Sequence, residues 1–535
     1  MGRTSRFVIA AVLSLSLAQV TARAEEEKFG EVNFPISCSP AAQGEFNRAV
    51  AMLHSFFFPE TVKAFTAIAQ HEPSCAMAYW GIAISQRPNP LVAPFPADVM
   101  SKGWQAIEAG RAASTKTQRE KDWIEALAVF FQDYDKVALR TRTLAYEGAM
   151  AQLADRYPDD SEAAIFYALA LNEAVDLSDK TYAKQFKAAA ILQAIEAKQP
   201  NHPGIAHYII HSFDFAPICR QGLPAAQRYA ELAPAAPHAL HMPSHTFSMV
   251  GMWRESIVAN VKTIASGKDY AARHNLDGIY PGDPHAYDFM QYAYLQLGED
   301  RQAKALMDEV GAIKKVFSPR LTTDTALAAV PARYMLERQD WRGAASLVVP
   351  AIVTAPPAKA ITHFTRALGA ARLGEFATAH ADIDKLKELE ASLAKAGDAY
   401  WSDQVGVQVL AAQAWLAQGE GDKAAAAKLM RAAADREDNS EKHVAMENRL
   451  YPMRELLADL LLEQGDAAAA LTEYETAMKN APERLRGLYG AAKAAEASGN
   501  KEKAGAYFRR LMTLTRDAQV DRAEIREARQ FAASR

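Results

Sequence analysis

His207 and His211 lie four residues apart, as do His241 and His245, and each member of the second pair follows its counterpart by 34 residues (241 − 207 and 245 − 211). On an α-helix an i, i+4 pair shares one face, so each pair presents two imidazoles side by side. Imidazole nitrogen ligates zinc and copper well, and two pairs from adjacent helices supply up to four ligands, His207, His211, His241 and His245. A set with one position left open would carry a metal-bound water and with it hydrolytic or oxidative chemistry. The same imidazoles, without metal, would hydrogen-bond a peptide or small organic ligand, or serve as polar packing. Adjacent helix axes lie roughly 8–10 Å apart, so the pairs meet only where their side chains lean together.

The elements that must place these rings are legible in the register. Units starting at Pro203 and Pro237, each preceded by a terminator at Pro200 and Pro234, put both pairs at the fifth and ninth positions. The segments around Gly465 and Gly499 also repeat at 34 residues, with Ala470 and Ala504, then Tyr474 and Phe508, at matching places. A turn glycine, a small residue for close helix approach and an aromatic between hairpins form the pattern of the tetratricopeptide repeat. Phe65 with Pro73, and Ala344 with Pro356, extend it, as do turns at Gly298, Gly374 and Gly421. The expected fold is all-α: a right-handed solenoid of about twelve helix-turn-helix units. The prolines of "RPNPLVAPFP", residues 87–96, predict a loop.

In such units the first helix lines the concave side, and its second, fifth and ninth residues face the groove. His238 joins the stripe as a second residue, and the next unit adds His285, Asp288 and Tyr292. Asp288 could replace one imidazole as a ligand, Met249 offers a thioether, and Asp214 is placed to orient a ring from outside. His54 faces the groove at a distance along the solenoid. Pro243 sits two residues after His241, where its ring would clash with the Ala239 carbonyl, so the helix either starts there or kinks. Trp80 and Trp253 read as core.

Composition narrows the classes. The 535 residues are 50% hydrophobic and 23% charged with a net charge of −4, which leaves no basic face for nucleic acid. Residues 1–24 combine arginines, an apolar run and Ala22-Arg23-Ala24, the form of a cleaved signal peptide, and no later stretch is long enough to span a membrane. The expected location is the periplasm or the exterior of a bacterium. Residues 25–300 then form a solenoid portion with a histidine-rich groove, and 301–535 carry generic repeats. Of three cysteines, Cys38 and Cys75 flank one predicted hairpin and are placed to form a disulfide, or else remain two buried thiols.

The stretches "CAMAYWG", "HPGIAHYIIH", "PHALHMPSH" and, more weakly, "HAYDFMQYAYLQ" resemble a family of bacterial secreted tetratricopeptide-repeat proteins. The likeness covers the N-terminal 300 residues. It implies a repeat solenoid with a specialised histidine-rich part and brings no activity with it. Two functions are thus carried forward. One is an exported solenoid that binds a peptide, protein or small ligand at His207, His211, His238, His241, His245, His285, Asp288 and Tyr292; the other is a zinc- or copper-binding protein or metalloenzyme using the same stripe.

Overall fold

The computed structural model describes residues 27–533 except 88, 93, 94, 114, 115, 520 and 521, and the side chain of 532; the signal-peptide reading of residues 1–24 lies outside them. The described chain is all-helical, from Pro40–His54 to Ala523–Ala533, apart from one isolated bridge between Ile279 and Val316. Helices adjacent in sequence pack against each other, and many also touch the next but one, the contact pattern of an α-solenoid. The stretch between the helices ending at Ser85 and starting at Ala97 contains no regular helix among its described residues.

The hairpin turns show why the sequence folds this way. Gly421, Gly465 and Gly499 adopt positive φ and close one helix. The next residue, Asp422, Asp466 or Asn500, then accepts a hydrogen bond from the N–H three positions on and opens the following helix. The small and aromatic positions are buried as expected: Ala470, Ala504, Tyr474 and Phe508 all belong to the interior. Phe65 fills its slot so closely that a Cβ on Gly81 would sit 2.3 Å from its ring. Gly81→Ala is expected to lower stability by about 1–3 kcal/mol through overpacking, read as a shift in the urea midpoint with an unchanged m-value.

Two large apolar cores share the chain. One gathers residues from Phe29 to Tyr280 and the other residues from Ile264 to Ala504. The C-terminal helices return to the middle of the chain. Trp253 donates from Nε1 to the Glu483 carbonyl at 2.8 Å, Leu485 N–H donates to Gln296 at 2.9 Å, and Arg484 bonds Tyr292.

The concave face is not an open groove. The non-helical segment 439–452 lies across it, with Glu441 N–H on the Leu177 carbonyl at 2.8 Å and Thr325 on the Ala445 carbonyl at 3.1 Å. Arg333, fully buried, donates to the carbonyls of Asn448 and Arg449 at 2.9 Å. A segment with no helical hydrogen bonds of its own needs such partners when buried, and these side chains supply them. His207, His211, His241, His245 and His285 are consequently enclosed, each at most 8% exposed.

Candidate metal centre

Four helices place the six rings. His207 and His211 come from Pro203–Ser212, His285 from Asp283–Gln296, and the others from two short helices, Pro237–His241 and Pro243–Val250. The break falls at Pro243, with Met242 as the single joining residue, still in right-handed helical backbone. The grouping differs from the one expected from the register. Instead of one four-histidine set, the structure forms two sets of three, His207 with His211 and His238, and His241 with His245 and His285; in each, one potential ligand atom per residue lies within 4.8 Å of the others.

Within each set the distances suit metal ligation. His207 Nε2 is 3.1 Å from His211 Nε2 and 3.2 Å from His238 Nε2, and His241 Nε2 is 3.1 Å from His245 Nε2. A tetrahedral ion with bonds of about 2.0–2.1 Å holds its ligand nitrogens about 3.3 Å apart.

The outer partners fix which nitrogen carries the proton. His207 donates from Nδ1 to the His54 carbonyl at 2.6 Å. His245 Nδ1 lies 3.0 Å from Asp214, which also accepts from Lys442; burial raises the Asp214 carboxyl and the Lys442 ammonium opposes that rise, favouring the carboxylate that accepts from His245. Asn260 uses its Nδ2 on the Ser256 carbonyl at 2.8 Å, so its Oδ1 faces His241 Nδ1 at 2.7 Å as acceptor. His207, His241 and His245 therefore all present bare Nε2 lone pairs inward. For His241 and His245 this sets two lone pairs against each other at 3.1 Å with no proton between them. Protonation is no remedy: burial, then neighbouring charges, pushes His245 well below its ordinary 6.5, and burial brings His241 down to about 4. His207, His211, His238 and His285 are also depressed by burial first and by neighbouring imidazoles second. A cation between the rings removes the conflict.

The two sets are neighbours. Ring centres of His238 and His241 are 6.2 Å apart and those of His211 and His245 6.4 Å. His211, His238, His241, His245 and His285 all border one cavity. Phe289 packs against all three rings of the second set, and Phe56 against all three of the first.

Other residues of the predicted stripe lie elsewhere. Asp288 pairs with Arg333 at 2.9 Å and Tyr292 packs on Trp253, so neither joins a histidine set. Met249 belongs to a small cluster with Cys219 and Val250. His54 is fully buried: its Nε2 and that of His202 each donate to one oxygen of Glu162 at 2.9 Å, and Tyr208 donates to His54 Nδ1. Burial alone would raise the Glu162 carboxyl, but His202 and His54 outweigh it and hold it at about 2. This third group could also hold an ion by its spacing, but here its imidazole Nε2 atoms lie on the carboxylate, and the His54 carbonyl accepts from His207. The structure joins Cys38 to Cys75 in a disulfide and leaves Cys219 a buried free thiol.

The register could not reveal the Glu162–His202 contact, Lys442 or Phe56, because each acts across a long sequence separation or from a loop. No protein-family model and no curated protein matches the chain.

Proposed function

We propose that this chain is a metal-binding protein in which each three-histidine set holds one zinc or copper ion. The observation that carries this reading is the pair of unprotonated Nε2 atoms of His241 and His245 held 3.1 Å apart in a buried site by Asn260 and Asp214. Hydrogen bonding alone leaves that contact repulsive, whereas an ion satisfies both lone pairs and the matching contacts around His207. Imidazole-only ligand sets suit zinc and copper over the oxygen-seeking magnesium, calcium and manganese. Three protein ligands per ion leave a position for water or a ligand, the arrangement of catalytic rather than closed structural sites.

In the other sequence-based reading, binding of a ligand at the histidine stripe, the ligand would enter the cavity over the two sets rather than lie along an open groove. The Cys38–Cys75 disulfide supports export to an oxidising compartment. The test is metal content by plasma mass spectrometry, on protein purified without a histidine tag and dialysed against zinc or copper. Two equivalents per chain are expected; a chain that retains none after replete dialysis overturns the reading.

A further inference from the structure

The two sets open to a single cavity, so whatever enters it meets both. Beside the histidines its wall carries an aromatic and apolar part, Phe56, Phe58, Tyr280, Pro281 and Val444, and a polar part with Arg320, Asn89, Thr263 and Thr322. Phe56 is held at φ 52, a backbone conformation that bulky residues rarely adopt. That conformation keeps its ring at 5.3 Å from His238 and nearly parallel to it, with Phe58 stacked behind at 5.2 Å.

Charge selects the metal. Six neutral imidazoles give two dications no compensation from their own ligands. The nearby carboxylates are already engaged, Asp214 by Lys442 and His245, and Asp288 by Arg333. Burying four uncompensated positive charges is costly, and two monovalent ions halve the problem. Copper(I) is monovalent, and imidazole ligands suit it. Two adjacent one-electron metals can together pass two electrons to one ligand. Dioxygen in the shared cavity would gain two negative charges where the metal charge rises from +2 to +4, so the net charge of the site stays the same in both states.

Resting on the metal reading above, we propose that the two sets hold a pair of copper ions and that the cavity takes dioxygen and a small aromatic ortho-diol, which the pair oxidises. The flat aromatic wall fits the ring, and two neighbouring hydroxyls match two neighbouring ions. Each diol loses two electrons and two protons and becomes an ortho-quinone. One dioxygen accepts four electrons and four protons from two diols and leaves as two waters, and both coppers return to the monovalent state.

The experiment loads the full-length, metal-free, tag-free protein with copper(I) under nitrogen, then admits air with 4-methylcatechol. Oxygen consumption and quinone absorbance are followed against free copper at equal concentration. Two coppers per chain, one dioxygen consumed per two quinones, and a loss of about 100-fold or more in rate in the one-copper His245→Gln variant are expected. His211→Gln, made in the other set, should lose the same, with circular dichroism reporting that both variants are folded. Two bound coppers with oxidation no faster than free copper overturn the proposal and leave the metal reading standing. So does a one-copper variant as fast as the parent, or uptake of zinc with refusal of copper. A chain that binds no metal overturns both.

Discussion

His245→Gln is expected to bind one metal ion where the parent binds two, and His207→Gln to lose the other. Each substitution removes a ligand from one set and touches none of the other's. Asp214→Asn gives the graded version. It leaves all six imidazoles in place but replaces the acceptor that holds the His245 Nδ1 proton at 3.0 Å and frees Lys442 of its counter-charge. Loss of such an outer partner weakens metal binding by about 10–100-fold, and here the loss should fall on the set of His241, His245 and His285 alone. Competition with a chromophoric chelator resolves the two affinities. Equal weakening at both sites would mean that Asp214 acts on the whole fold rather than through His245.

Much of this site was legible in the residues. The 34-residue register placed four histidines on neighbouring helices, and Asp214 was expected to orient a ring. The grouping was not legible, because the register gives the order of the rings along the stripe and not which of them meet at one point. The register alone groups His241 and His245 with His207 and His211. The short helix Pro237–His241 instead delivers His238 to the first pair and leaves His241 and His245 to meet His285.

Asp288 and Tyr292 failed to join for a related reason. Nearly every residue of Asp283–Gln296 is buried, so the helix has no polar face to announce which side meets the histidines. His285 meets them in the first turn, while later turns address Arg333 and Arg484. The solenoid itself was readable because its turns are local, a glycine followed by a capping side chain. Segment 439–452 has no period, and its partners Thr325 and Arg333 lie over a hundred residues away, so nothing in its own sequence marks it as the cover of the site.

Arg333 is the fully buried cation among those that hold the cover, beside Lys180 on Glu441 and Lys442 on Asp214, and Arg333→Met should show its share. The guanidinium lies between Asp288 at 2.9 Å and Glu447 at 3.6 Å while donating to the carbonyls of Asn448 and Arg449. Removing it leaves two buried carboxyls and the segment's carbonyls without a donor, a change that costs about 3–5 kcal/mol. The pH dependence runs opposite to ordinary acid denaturation. Burial pushes the Glu447 carboxyl up to about 8, with Asp288 adding to the rise and Arg333, Ser248 and Lys442 opposing it. A carboxyl raised in the folded state binds its proton more tightly there than in the unfolded chain. Its contribution therefore falls as pH rises from the ordinary carboxylate range through the folded value. At pH 5 Glu447 is protonated with or without Arg333, so the variant's deficit in thermal or urea unfolding should be smaller at pH 5 than at pH 8. Adding Glu447→Gln should restore part of the loss at pH 8 and little at pH 5. Because segment 439–452 carries Lys442 to Asp214, the same variant should also weaken metal binding at the His241, His245 and His285 set. A deficit equal at both pH values would mean that the segment is held by its backbone hydrogen bonds and not by charge.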